Sequence, residues 1–365
     1  MSLSCVVLAA GEGTRMHSCL PKPLHPLCGR PMLLHILDVL AGLAPSRTVV
    51  VVGHGAEQVT KVLVEDGPPG LTVVEQPVRR GTGDAVMTAL TAFADDDLDV
   101  SDVEDSDDGG DVVVVPGDAP LLRPATLAEL VGAHRRSEAA ATLLSTRPPD
   151  PHGYGRVVRG RDGDVRRIVE ELDATPEEVA IDEVATSVYC FRRSLLTPAL
   201  RRITPDNRRG EYYLTDVISV LAETGHPVGS VVVDDPVEAM GVNDRAQLAE
   251  AEGELQRRIN QGWLTRGVTM VDPTSTYVEV QVRLSADVTL LPGTVLAGAT
   301  EVGEGSEIGP ATHLIDCVVG AGATVSTSVG VGAEVGAGAR VGPFAHLGPG
   351  SVVPAGAVTG PFYTA

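Results

Sequence analysis

Apolar and polar positions in the first two-thirds of the chain alternate between two periods. Short apolar runs at residues 5–10, 48–52, 71–75 and 112–115 read as strands. Between them, residues 32–43, 59–64 and 85–93 space apolar side chains three and four apart, as a helix with one buried face requires. Residues 11–20 are polar and glycine-rich and read as a loop. This β–α–β–α order predicts an α/β domain whose parallel sheet carries helices on both faces. Ligands of such sheets sit beyond the carboxyl ends of the strands, so the informative motifs should follow the strands.

The pattern then changes. Residues 246–260 form an amphipathic helical stretch expected to join two domains. After Gly267, and clearly from Val282, a branched apolar residue recurs about every sixth position. One run is Val302, Ile308 and Leu314; another is Val319, Val325 and Val331; a third is Val335, Val341, Leu347 and Val353. Small residues fill the intervals. A hexad of this kind predicts a parallel β-helix. Each flat face is a short strand, the anchors point inward, and the tight corners need glycine or another small residue.

Composition adjusts this picture in a few places. A length of 365 residues suggests two domains. Lys+Arg total 28 against Asp+Glu 49, a net charge of −21 with no basic stripe to offset it. That balance argues against nucleic acid or an anionic membrane as partner. Cys5, Cys19, Cys28, Cys190 and Cys317 are scattered without a C-x-x-C pair. Neither a zinc site nor a disulfide framework is expected, and free thiols suit a reducing, cytoplasmic setting. No apolar stretch reaches membrane length. The acidic run at 95–111 reads as a solvated loop, since it lacks the ordered spacing of a calcium loop.

The segment richest in chemistry is Leu8-Ala9-Ala10-Gly11-Glu12-Gly13-Thr14-Arg15-Met16, followed by Pro21-Lys22-Pro23-Leu24. Glycines directly after a strand let the backbone approach phosphates and cradle them with N–H groups. Arg15 and Lys22 can neutralise a triphosphate and the charge that develops on transfer. Lys22 and Lys61 are the only lysines in the chain. Lys61 reads as a surface residue; a lysine kept beside the glycine loop reads as functional.

These residues resemble the nucleotide-sugar pyrophosphorylases, the sugar-1-phosphate nucleotidylyltransferases. Within them the match is nearest to the bifunctional N-acetylglucosamine-1-phosphate uridylyltransferase/glucosamine-1-phosphate acetyltransferases, and it runs over nearly the whole chain. The resemblance implies a Rossmann-like nucleotidyltransferase domain with a mixed, mostly parallel sheet over residues 1–245. It implies a linker helix over 246–266 and a short left-handed β-helix of hexapeptide repeats over 267–365. By the same resemblance Leu8, Ala10, Gly11, Gly13 and Thr14 bind the nucleotide, and Gln76 with Gly81 and Thr82 reads the uracil edge. Arg80 and Asp84 are less typical of that motif. Asp118, in Pro116-Gly117-Asp118, and Asn243, in Gly241-Val242-Asn243-Asp244, would bind Mg²⁺. Gly155, Glu170, Ala185, Tyr213 and Thr215 would line the sugar.

The implied reaction joins UTP, or a related triphosphate, to N-acetylglucosamine 1-phosphate or a related hexose or pseudo-sugar phosphate, with release of pyrophosphate. The nucleophile is already anionic, so catalysis needs positioning and charge neutralisation rather than a base. Arg15 would meet the β and γ phosphates, and Lys22 the phosphates at the reacting centre. Two departures stand out. Ala185 replaces an asparagine that touches the N-acetylated sugar, and Leu172 replaces a polar or basic residue, so a shift in sugar choice is expected. Gly348 stands where the acetyltransferase half carries an arginine, and the chain stops at Ala365 before that half's further catalytic residues. No acetyl transfer is expected, and His346 reads as a solvated β-helix residue. A homotrimer through the β-helix faces is implied. The competing reading is a catalytically silent structural or regulatory homologue assembled through the β-helix. The joint presence of Gly11, Arg15, Lys22, Asp118 and Asn243 argues against it.

Overall fold

A computed structural model describes residues 2–94 and 110–365, so all but the last two residues of the acidic run lie outside the described residues. The chain divides into two compact units: Met1–His25 with Pro31–Leu248, and Pro26–Arg30 with Ala249–Ala365.

The first unit is built on a mixed sheet. Its strands are β1 (Leu3–Ala9), β2 (Arg47–Val52), β3 (Leu71–Glu75), β4 (Asp111–Pro116), β5 (Ala141–Thr146), β6 (Arg156–Arg159), β7 (Val165–Val169), β8 (Val184–Arg192) and β9 (Val228–Val233). The order is β9-β5-β8-β4-β1-β2-β3, with the β6/β7 hairpin attached to β8. Neighbours along that path run parallel, except that β8 is antiparallel to β4 and β5. In register, Val6 of β1 lies between Val49 and Val114.

Alternation along the valine-rich strands feeds two cores. Val6, Val49, Val51, Val112 and Val114 share one apolar cluster with Val86, Leu196 and Val217. These last three come from α3 (Thr82–Ala94), α5 (Arg193–Leu200) and α6 (Asp216–Glu223). Val7, Val50, Val52, Val113 and Val115 face the other way, onto Leu33, Val59 and Leu127. Those belong to α1 (Met32–Ala41), α2 (Ala56–Asp66) and α4 (Pro124–Arg136). Helices thus cover both faces. Helix α1 ends at Ala41, two residues short of the apolar spacing, which Leu43 continues beyond the helix end.

In the second unit three five-stranded parallel sheets form a short left-handed β-helix. Inward anchors stack in columns. One is Met270, Leu290, Ile308, Val325 and Val341; another is Leu284, Val302, Val319, Val335 and Val353. The third corrects the hexad reading. Leu314 is followed in its column by Gly330, not Val331, and then by Leu347. A side chain at Gly330 would meet Leu314 and Cys317, so the cysteine already takes up that space. The coils start at Thr269, with anchors Met270 and Val278 ahead of the clear hexads from Val282, and Leu284 next. Their first interval is eight residues, which hides the hexad. No helix among the described residues is long and apolar enough to cross a membrane.

Candidate active site

β1 and β4 end side by side, with Leu8 opposite Pro116. The Gly117 N–H donates to the Leu8 carbonyl at 2.8 Å, so Asp118 begins beside the mouth of the glycine loop. The loop folds into two single turns, Thr14–Met16 and Lys22–Leu24. Gly13 has φ +65, and a Cβ there would lie 2.6 Å from Lys22 Cβ. Glycine is required on both counts, by backbone conformation and by the passage of the lysine.

Lys22 Nζ donates to Asp118 Oδ2 and, at 2.8 Å, to Asn243 Oδ1. The asparagine is oriented by its own neighbours. Its Nδ2 donates to the Gly241 carbonyl at 3.3 Å, and its backbone N–H donates to Gln247 Oε1 at 2.8 Å. The amide oxygen is therefore turned toward the ammonium. Val242 N–H bonds the Asp118 carbonyl at 2.8 Å and ties the two segments together. Two hard oxygens thus converge on a cation, here the lysine's own, and such a donor set fits Mg²⁺. Among the described residues no group of three or more His, Cys, Asp or Glu is placed to hold a metal. Any remaining ligands of Mg²⁺ would be water and phosphate oxygens, its usual complement.

Leu8 is half-buried and Ala10 buried at the strand end, while Gly11, Thr14 and Arg15 are exposed. Nothing lies within 4 Å of a Cβ built on Gly11, which leaves open space over the loop. Three neighbours that sequence reading missed hold this region. Arg79 pairs with Glu12 and, by hydrogen bond and charge, keeps the Glu12 carboxyl below its usual range. Arg245 Nε donates to the Met16 carbonyl at 3.1 Å, and its Nη1 lies 3.3 Å from His25 Nδ1. Burial, with Arg245 beside it, pushes the His25 pKa down. No motif marks these residues; only the folded loop brings them together.

Gln76 follows β3 and is buried. Its Nε2 donates to Asp84 Oδ2 at 2.6 Å and to the Gly81 carbonyl at 3.2 Å. The Thr82 Oγ1 accepts from the Leu214 N–H at 3.0 Å. Together with the Gly83 N–H to Tyr212 carbonyl bond of 2.8 Å, this pins the start of α3 to the 212–214 segment.

The residues expected around a sugar also gather. The Ala185 N–H donates to the Gly155 carbonyl at 2.9 Å, and a Cβ on Gly155 would lie 3.6 Å from the Glu170 carboxyl carbon. Thr215 Oγ1 donates to Glu170 Oε1 at 3.1 Å. Tyr213 is buried nearby, its pKa pushed up to about 12 by burial first and by Asp173 second. The Ala185 methyl belongs to the apolar cluster containing Val157 and Ile168 and offers no hydrogen bond.

Burial raises the Glu170 pKa, against the opposing pull of Thr215 and Arg209 and with added repulsion from Asp216 and Asp173. A raised carboxyl pKa penalises the fold when ionised. That penalty is full above the raised value and vanishes as pH falls below the ordinary value of 4.5, where both states become protonated. Glu170→Gln is therefore expected to raise the melting temperature by a few degrees at pH 7.5, with the gain fading on titration toward pH 4.5. Differential scanning calorimetry across that range checks the sign.

A glycine loop after the first strand, with a lysine braced against two oxygen donors beyond it, places the candidate site at the carboxyl ends of parallel strands, where α/β folds bind their ligands. The chain belongs to the MobA-like NTP transferase domain family, whose sequence profile matches residues 5–224. It is 47% identical over 318 residues to the bifunctional protein GlmU of Thermobifida fusca, covering 87% of this chain and 64% of that protein. It is 45% identical over 320 residues to bifunctional protein GlmU of Desulfitobacterium hafniense, covering 88% and 67%. The Mycolicibacterium vanbaalenii GlmU is 46% identical over 321 residues, covering 87% and 63%. The chain thus spans about two-thirds of the length of these relatives.

Proposed function

We propose that this chain is a Mg²⁺-dependent sugar-1-phosphate uridylyltransferase. It joins UTP, or a related triphosphate, to N-acetylglucosamine 1-phosphate or a related hexose or pseudo-sugar phosphate and releases pyrophosphate. The observation that carries the reading is the meeting of Lys22 with Asp118 and Asn243 beyond β1 and β4. The identity to GlmU proteins supports it.

A phosphate oxygen of the sugar 1-phosphate attacks the α-phosphorus in line. The bond from that phosphorus to the β-bridging oxygen breaks, and its electron pair leaves with pyrophosphate. The attacking oxygen carries no proton, so no base is required. Lys22 neutralises charge at the α-phosphate, and Arg15 reaches the β and γ phosphates from its exposed turn. N–H groups of residues 10–14 cradle the triphosphate. Gln76 with Gly81 and Thr82 reads the base, while Gly155, Glu170, Tyr213 and Thr215 position the sugar beside Ala185. Asp118 and Asn243 would hold Mg²⁺, which when bound supplies further neutralisation of phosphate charge.

In this reading residues 1–245 carry catalysis, 246–266 connect, and 267–365 assemble a homotrimer in the cytoplasm. Gly348, in place of an arginine, gives no basis for an acetyl-transfer step.

Pyrophosphate release with Mg²⁺ tests the reading across UTP, dTTP, ATP, CTP and GTP, each with N-acetylglucosamine, glucose and glucosamine 1-phosphates. UTP is expected to lead, with acceptor preference displaced from the N-acetylated sugar because Ala185 supplies no polar contact. Silence across the grid would overturn the proposal and favour a non-catalytic homologue.

A further inference from the structure

We infer that Asp84 sets base selectivity by fixing which way the Gln76 amide faces. This positioning role rests on Gln76 being the base-reading residue of the proposed function. Gln76 is buried, and its Nε2 donates to Asp84 Oδ2 at 2.6 Å and to the Gly81 carbonyl at 3.2 Å. A carboxylate and a backbone carbonyl can only accept. An inverted amide would set Oε1 against two oxygens, so the inversion is blocked. Gln76 therefore presents its carbonyl oxygen, and not its NH₂ group, on the side away from Asp84.

The scaffold keeps Asp84 in place. It sits in the first turn of α3, whose start is held by the Gly83 N–H to Tyr212 carbonyl bond and by the Leu214 N–H to Thr82 Oγ1 bond. Gly81 has φ +107, and a Cβ there would come within 2.5 Å of the Tyr212 carbonyl oxygen. These contacts hold the backbone that carries Asp84 beside Gln76.

An acceptor-only glutamine selects among bases by a simple rule. Uracil and thymine carry an imide N–H that can donate to Oε1. Cytosine carries a bare ring nitrogen at the same position, and lone pair then meets lone pair. In Asp84→Asn, whose NH₂ group can donate to a turned Gln76 Oε1, only the longer 3.2 Å contact with the Gly81 carbonyl opposes inversion, and the amide can offer its NH₂ group to cytosine. The Asp84 carboxylate thus excludes cytidine nucleotides without touching them, by denying Gln76 its other orientation.

The test is calorimetric binding of UMP and of CMP to the full chain, for the wild type, Asp84→Asn, Gln76→Ala and the double variant. UMP is expected to bind more tightly than CMP to the wild type. Asp84→Asn, whose amide can donate or accept, should cut that preference about tenfold, as expected for one buried mismatched contact. In the Gln76→Ala background Asp84→Asn should change the preference no further. A variant that is merely less stable would lower both affinities and leave their ratio intact; melting temperatures recorded alongside identify it. An unchanged ratio in Asp84→Asn overturns the inference, as does an equal effect of Asp84→Asn without Gln76. UMP preference in a protein that releases no pyrophosphate would remove the proposed function and leave this inference standing.

Discussion

Lys22→Ala is expected to slow pyrophosphate release by about 10²- to 10³-fold, the loss typical when a preorganised charge-stabilising donor is removed. Stability should change little. The Asp118 side chain is 24% exposed, so water can replace the ammonium that Lys22 supplies. The rate loss is large for a different reason. Lys22 is threaded past Gly13 and held at Asp118 and Asn243, so on the proposed reading its charge is already in the site when the phosphates arrive. Lys22→Arg should fail to rescue, because a planar fork cannot occupy the place of a compact ammonium between two oxygens. A second readout separates roles. Removing the ammonium frees both oxygens, so on the proposed reading Mg²⁺ binds more tightly to Lys22→Ala in the absence of nucleotide. Single-turnover rates at saturating substrates, with melting curves and calorimetric Mg²⁺ titration, check all three outcomes. A variant retaining more than about a tenth of the rate would reduce Lys22 to a counter-ion for Asp118.

Strand positions were legible because burial on both faces leaves a strong mark. The four-valine run 112–115 is the clearest case, with successive side chains in opposite cores. The β-helix was legible in its later coils and opaque in its first, where the eight-residue interval from Met270 to Val278 breaks the hexad. Val331 keeps the hexad spacing without being the anchor, for a physical reason. Its column position belongs to Gly330, and the volume is filled by Cys317, whose distance in sequence gives no periodic signal. In the site, residues that follow strands could be found from their motifs. Groups acting through tertiary contact could not. Arg245 and His25 meet only after a separation of 220 residues is closed, and the hold of the Thr82 hydroxyl on the Leu214 backbone has no local signal. Asp84 looked like a departure from the motif, and it is the residue that orients Gln76.

Gly13→Ala is expected to lower kcat/KM at least 100-fold and to reduce the melting temperature. Two effects add. A left-handed backbone costs alanine roughly 1–2 kcal/mol more than glycine, and φ at this position is +65. The new Cβ would also stand 2.6 Å from Lys22 Cβ, and both atoms are bonded directly to the backbone. No rotamer change relieves that overlap, so the loop itself must move and carry Lys22 with it. A displacement of about 1 Å from a productive geometry is enough to lose on the order of 10²-fold in rate. Gly11→Ala supplies the contrast. Its φ is unexceptional and nothing lies within 4 Å of a built Cβ, so the free protein should fold and melt as the wild type does. A fall in kcat/KM for Gly11→Ala would then report close approach of the triphosphate to the loop. Wild-type kinetics for Gly11→Ala would remove Gly11 from the phosphate cradle, while the loss in Gly13→Ala would still follow from Lys22 alone.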